Sequence, residues 1–329
     1  MAAVVPEGQV VWGLQLPVQS QSTRYVEGWE TGPDAGPSAL AAVATAADRA
    51  GAFYVAVCDH VAIPDDEVEA MGSTWYDTMT TLGWLAARTE RVRLLSHVAV
   101  LPYRHPLVTA KAWCTLDALS GGRAVLGVGA GHVRDEFEAL GVPFAERGRL
   151  LDEALDVVRA AFADERPVLD GPTWPVAGVA VAPRPVQPGG PPVWVGGSSP
   201  AALRRVVERG DGWLPQGPPP QGMRAALAEL RQRTAEARPG DRLDLGANAA
   251  PMFIGDPGED LGQHTVVGPP EQVAAGLARL LAIDVDHVQV RLRSRSAAEA
   301  VEQVERFGAE VWPAACAAAG RTSPATGAP

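Results

Sequence analysis

Short apolar runs and longer amphipathic stretches alternate along nearly the whole chain. Residues 10–16 form the first run, ended by Pro17. A polar, glycine-bearing loop over 19–37 follows, of a length that in compact domains is often functional. Ser38 then caps a helical stretch at 39–50 that stops at Gly51. Residues 54–58 are the second run, followed by an acidic loop over 63–72. Residues 76–89 place Leu82, Leu85 and Ala86 on one helical face. A third run, 92–101, is stopped by Pro102, and the helix predicted over 107–119 ends at Ser120-Gly121-Gly122. The fourth run, 124–128, feeds Gly127-Val128-Gly129-Ala130-Gly131 and a further helix. Over 146–163, Leu150, Leu151, Leu155 and Val158 recur at helical spacing.

The second half continues the rhythm. Residues 164–192 are too rich in proline for a helix and predict an excursion or a small edge ribbon. A run at 193–195 ends in Gly196-Gly197-Ser198-Ser199, and Pro200 opens a helix to Arg209. A short run at 212–215, a helix at 223–237, a strand within 243–254 and a loop over 255–267 come next. A helix at 270–281, a run at 287–292 and a last helix at 297–311 complete the pattern. Small residues and proline from Thr322 predict a flexible tail, 322–329, after one domain over 1–321. Eight apolar runs separated by helices predict an α/β fold with a parallel sheet. The number of runs favours a (β/α)8 TIM barrel with loop insertions over an open doubly wound sheet.

Composition narrows the function. Apolar residues make up 47% and charged residues 20%, ordinary for a globular protein. The net charge of −11 argues against general nucleic-acid binding, which needs a basic face. No apolar run approaches the ~18 residues of a membrane helix, and no basic-then-apolar leader opens the chain, so a cytoplasmic protein is predicted. Cys58, Cys114 and Cys316 are far apart, with no CxxC pair and no disulfide framework. Cys58 and Cys114 sit in apolar runs and read as buried, inert thiols.

Polar groups at strand ends are the candidate chemistry, because that face of a barrel carries the active site. Gln15 ends the first run and Asp59-His60 follows the second; a strand-end carboxylate capping the next turn is the alternative role for Asp59. His97 lies within the third run, and His132 and Asp135 follow the fourth. Gly129 and Gly131 let the backbone approach a ligand, although their spacing is wrong for a dinucleotide fingerprint. Gly196, Gly197 and Ser198 before a helix make a phosphate cradle, since free N–H groups and the helix dipole both favour an anion. Arg291, alternating with apolar residues in the last run, is placed to meet an anionic substrate or a cofactor tail. Trp29, Trp75 and Trp84 read as mouth or core aromatics, and His105-Pro106 as a helix start.

With these pieces in order, the chain resembles the luciferase-like flavin- or deazaflavin-dependent oxidoreductases, closest to the actinobacterial branch assigned to coenzyme F420. The resemblance spans roughly residues 10–315. It is carried by Val57-Cys58-Asp59-His60, by 91–111, by 119–149, by PRPVQPGGPPVWVGGSSPAALRRVVERGDGWLP at 183–215 and by HVQVRLRSRS at 287–296. It implies a (β/α)8 barrel with the cofactor across its C-terminal mouth. It implies that Asp59 and His60 line the cofactor ring, and that a bulge at His97-Val98, often with a cis peptide, supports the ring from behind. His97 stands where the family usually has Gly or Ser. His132 stands where some deazaflavin sugar-phosphate dehydrogenases have a glutamate proposed as acid, and Asp135 where they have a cofactor-binding Asn. The phosphate of the cofactor is expected at 196–198.

The expected activity is hydride transfer between F420 and a small organic substrate, with His60 and His132 as proton donors. An FMN-dependent two-component monooxygenase is the alternative enzyme, and a cofactor-binding protein without turnover the alternative outside enzymes. No metal is expected. A homodimer is: the resemblance implies it, and apolar residues beyond one face of the helices after strands two and three, Trp84, Leu85, Trp113 and Leu116, fit it, with a core-only role for those side chains as the alternative.

Overall fold

The computed structural model describes residues 3–17, 35–261 and 264–324. The loop expected over 19–37 therefore lies outside the described residues as far as 34, Trp29 included. The apolar runs become eight parallel strands: β1 (Val11–Gln15), β2 (Tyr54–Val57), β3 (Arg93–Ser96, resuming at Ala99–Val100), β4 (Ala124–Gly129), β5 (Val193–Gly196), β6 (Gly212–Leu214), β7 (Asp244–Asn248) and β8 (His287–Val290). They pair in the order β3-β2-β1-β8-β7-β6-β5-β4, and β4 returns to β3, which closes the barrel. The first and last strands meet through Val11 opposite His287, and the seam closes through Leu94 opposite Ala124. Each strand is followed by a helix of the outer ring: α1 (Pro37–Arg49), α2 (Thr78–Ala86), α3 (Pro106–Ser120), α4 (Arg147–Ala163), α5 (Pro200–Arg209), α6 (Met223–Ala237), α7 (Pro270–Leu281) and α8 (Ala297–Arg306).

The strands read as continuous apolar runs because both faces are covered. Trp12 and Leu14 of β1 point to the helices, while Val11 joins Tyr54, Ala56, Leu95, Val125, Trp194 and Leu214 inside the barrel. Large rings there need small residues opposite. A Cβ on Gly13 would stand 2.1 Å from the Tyr54 ring, and one on Gly246 2.1 Å from the His287 ring. The barrel floor is polar. Trp194 stacks on His287 at 4.2 Å and donates Nε1 to Asp244 Oδ2 at 3.2 Å. The same carboxylate accepts from the backbone N–H groups of Val4 and Val5, so the N-terminal segment plugs the bottom of the barrel. His287 Nε2 faces the Trp213 carbonyl at 3.2 Å and must donate; its Nδ1 therefore accepts from Tyr54 Oη at 3.3 Å.

Strand β3 carries one extra residue against β4. Leu95 pairs with Val125, but Ala99 pairs with Val128, so four steps oppose three. The bulge falls at Ser96–Val98, and the His97-Val98 peptide is cis. A Cβ on Gly127 would lie 1.9 Å from the bulged Ser96 carbonyl oxygen, an atom of backbone that cannot swing away. Gly127→Ala is expected to cost at least ~2 kcal/mol, because overpacking against backbone is not relieved by a rotamer change. A urea midpoint equal to that of the wild type would contradict this.

Several expectations need correction. The strand expected within 243–254 is two: β7 and Met252–Ile254, which pairs with Val266–Gly268 beside the barrel. The last helix does not end at 311. The helical backbone continues without a break through a π-turn at Phe307–Val311 into a further helix, Trp312–Ala319, and Pro313, which has no N–H to donate, falls directly after that π-turn. The tail is anchored at its start: Thr322 bridges Gln9, and Trp312 Nε1 donates to Ser323 Oγ. Leu85, Trp113 and Leu116 are core side chains of this one chain, and Trp84 lies half-buried under Arg88; the exposed apolar residues of α3 are Val108 and Leu119. Among the described residues no helix is long and apolar enough to cross a membrane, and no group of His, Cys, Asp and Glu could hold a metal ion.

Candidate active site

A cavity of about 960 Å³ opens at the C-terminal mouth of the barrel. Its wall brings together Gln15, Asp59, His60, His97, Val98, Gly129, Gly131, His132, Gly196, Gly197 and Arg291. Two residues expected there are not in the lining. Asp135 is exposed in the first turn of a short helix, Arg134–Ala139. Ser198 instead ties two loops: its Oγ donates to the Gly217 carbonyl and accepts from Gln216 N.

His60 is built from behind by a residue that the sequence hides. Glu136, next to Asp135, is 1% exposed and turns its carboxylate toward the end of β2. Its Oε2 accepts from Tyr103 Oη at 2.7 Å and faces His60 Nδ1 at 3.2 Å; its Oε1 accepts from Val61 and Ala62 N–H. Burial alone would raise the Glu136 pKa, but the hydrogen bonds from His60, Tyr103 and Val61 outweigh it and hold the group below its usual value. Glu136 is thus a carboxylate, His60 Nδ1 carries a proton toward it, and Nε2 is the ring nitrogen left for the cavity. Trp75 packs on the His60 ring at 4.6 Å. His132 lies edge-on at 6.3 Å, its pKa lowered by burial and then by His60.

Asp59 lines the cavity and also makes an ion pair. Its two oxygens take a bidentate pair from Arg104, both at 2.7 Å, and Oδ2 also accepts from Val100 N. It therefore clamps the end of β2 to the segment after β3, and this resembles the structural alternative weighed above. Arg104→Ala would leave a buried carboxylate without its counter-ion. The expected loss is about 3 kcal/mol, at the low end for a broken buried pair because the Arg104 side chain is 27% exposed. Chemical denaturation would read it, and a change under ~1 kcal/mol would contradict the clamp. Cys58, expected as an inert core thiol, lines the cavity beside Asp59.

The bulge sets the floor. Val98 projects over β4 and β5, where side chains would collide with it: a Cβ on Gly129 would be 2.5 Å from Val98 Cγ2, and one on Gly196 2.7 Å from Cγ1. His97 is buried, with Nε2 3.0 Å from the Gln216 amide and Nδ1 3.2 Å from that of Gln289. Burial, and then the Arg291 charge, push its pKa down to about 4, so the ring is neutral near pH 7.

On the opposite side α5 points its N-terminus into the cavity. Ser199 caps it by accepting from Ala202 N, Gly197 turns the chain at φ +100°, and Ala201 and Ala202 line the wall. Arg147 and Arg205 join them. Arg205 is held by Asp152 and by the Gly148 carbonyl, and Arg147 lies over the Phe144 ring at 3.9 Å. Glycines that a Cβ would block, helix N–H groups and two guanidinium groups fit a phosphate-bearing ligand. Sequence reasoning missed Glu136, Tyr103, Arg147, Arg205, Gln216 and Arg293 as parts of this site.

A closed parallel barrel whose C-terminal mouth brings together a histidine held by a buried carboxylate, a helix N-terminus and two arginines defines a (β/α)8 barrel protein with its candidate site at that mouth. The model of the luciferase-like monooxygenase family matches residues 16–260, and the chain belongs to that family of oxidoreductases. It is 33% identical over 207 residues to the uncharacterized protein Rv0940c of Mycobacterium tuberculosis, covering 59% of this chain and 71% of that one. It is 32% identical over 182 residues to an F420-dependent glucose-6-phosphate dehydrogenase of Kineococcus radiotolerans, covering 54% of this chain and about half, 52%, of the dehydrogenase. Among solved structures, riboflavin lyase (RcaE) with modified FMN and riboflavin superposes with a TM-score of 0.78 at 18% identity, over 98% of this chain and 94% of that one; at that identity the likeness speaks for the fold.

Proposed function

We propose that this chain transfers a hydride between coenzyme F420 and a small organic substrate at the barrel mouth. The observation that carries the reading is one cavity lined both by His60, which Glu136 holds from behind, and by the start of α5. Similarity to an F420-dependent dehydrogenase supports the choice of coenzyme. FMN is the alternative, supported by the fold shared with a structure that holds modified FMN. When bound, the coenzyme supplies or accepts the hydride.

The chain's own residues orient and protonate. The N–H groups at the start of α5, with Arg147 and Arg205, hold the phosphate; Val98 supports the ring system from below. His60 gives or takes a proton at Nε2, with Glu136 fixing the ring through Nδ1. Arg291, lining the same cavity, faces the substrate side together with Gln15. The reading includes a homodimer, for which a clean monomer by light scattering at micromolar concentration would count against it.

The test is reduced F420 with a panel of carbonyl, imine and activated alkene compounds, followed by coenzyme reoxidation without oxygen. Turnover is expected. Turnover only with reduced FMN and oxygen would favour the monooxygenase, and tight coenzyme binding with none across the panel would favour a non-catalytic carrier.

A further inference from the structure

Gln289 of β8 is 3% exposed. Its amide nitrogen lies 3.1 Å from Gln15 Oε1 and 3.2 Å from His97 Nδ1, while its oxygen has no partner among the described residues. Turning that amide round would put its nitrogen where the oxygen stands. The oxygen would then stand 3.1 Å from Gln15 Oε1, acceptor against acceptor, and the hydrogen bond to Gln15 would be lost. The nitrogen therefore faces His97, and His97 Nδ1 accepts.

A neutral imidazole with an accepting Nδ1 carries its proton on Nε2. Burial keeps His97 neutral. The Nε2–H needs an acceptor, and the atom 3.0 Å from it is one end of the Gln216 amide. That end must be the oxygen, since two donors cannot share the contact; amide ends are assigned by such accounting. The NH2 end is then left to the cavity that Gln216 lines. The backbone of Gln216 is fixed as well, because its N–H donates to Ser198 Oγ at 3.1 Å, in the segment that forms the anion cradle.

We propose that His97 is a positioning residue that turns the Gln216 amide so that its N–H donors face the cavity, making this edge of the site one for a hydrogen-bond acceptor. The fitting ligand class is a planar ring system with a carbonyl oxygen or ring nitrogen on that edge, as deazaflavins and flavins both have. The identity of that ligand rests on the proposed function; the orientation of the amide does not. Val98, the next residue, projects over β4 and β5 in the same cavity, so one bulge would set both the platform under a bound ring and the polarity of its neighbour.

Two measurements test this on the full chain. In the first, histidine labelled with 15N is examined by long-range 1H–15N correlation near pH 7, with the His97 signals assigned by their loss in His97→Asn. If that variant does not fold, the shift of the same signals in Gln216→Glu assigns them. A protonated Nε2 and bare Nδ1 are expected, and a proton on Nδ1 overturns the proposal. In the second, F420 and FMN are titrated into Gln216→Glu and Gln216→Met. For whichever coenzyme the wild type binds, both variants should bind it more weakly, Gln216→Glu by tenfold or more. Unchanged affinity in Gln216→Glu, or a loss there with none in Gln216→Met, overturns it. If the wild type binds neither, the coenzyme reading fails, and the tautomer measurement alone decides this one.

Discussion

His60→Ala is expected to lower kcat by roughly 100- to 10,000-fold, with coenzyme affinity kept within a few-fold, because a positioned acid contributes about that much. The expectation rests on geometry. Nδ1 is committed to Glu136, so only Nε2 can serve the cavity, and Trp75 fixes the face of the ring. Glu136→Gln keeps the shape but replaces the carboxylate that holds His60 Nδ1–H, and it should lower kcat by about tenfold. His132→Ala is the paired control, since His132 is the other histidine at the mouth. Affinity that falls while kcat survives would make His60 a ring contact and not an acid. If neither changes, the active site is elsewhere.

The second large effect concerns stability and pH. Asp244 is fully buried, and that burial pushes its pKa up to about 7, against the pull of the hydrogen bonds from Val4 and Val5. In the unfolded chain the group titrates near 3.8. Between these values the folded state binds a proton that the unfolded state has released, so this group's contribution is full below about pH 4 and lost as pH rises toward 7. Asp244→Asn removes the titration. The stability of the wild type relative to that variant should therefore fall by about 4 kcal/mol at most from pH 4 to pH 7, at about 1.4 kcal/mol per unit. Urea denaturation of both proteins across that range measures it. A constant difference would contradict a titrating Asp244, and a difference that grows with pH would reverse the sign.

The barrel was legible because its signal is local. Strands buried on both faces read as unbroken apolar runs, and each helix between them repeats its own period. The cis bulge at His97-Val98 came through resemblance, and the turn at 196–199 through glycines whose purpose is spatial. What stayed hidden depends on pairing across βα units. Glu136 sits in Asp135-Glu136-Phe137-Glu138, which reads as a solvated first turn, and its burial becomes visible only when Tyr103 and His60 are beside it. Arg104 looks like any surface arginine until it meets Asp59. Gln216 and Gln289 carry no charge and no periodicity, so nothing in the chain marks them. The helix at Trp312–Ala319 was masked by Pro313, which reads as a stop although the helical backbone runs on through the π-turn before it.

The most direct measurement is a parallel titration of the purified protein with F420 and with FMN, followed by absorbance and fluorescence. A site made of the α5 N-terminus, Arg147, Arg205 and the Val98 platform predicts that F420 saturates it well below millimolar and that FMN binds more weakly. If neither coenzyme binds below about millimolar, the proposal of a coenzyme-dependent hydride transfer at this cavity is contradicted.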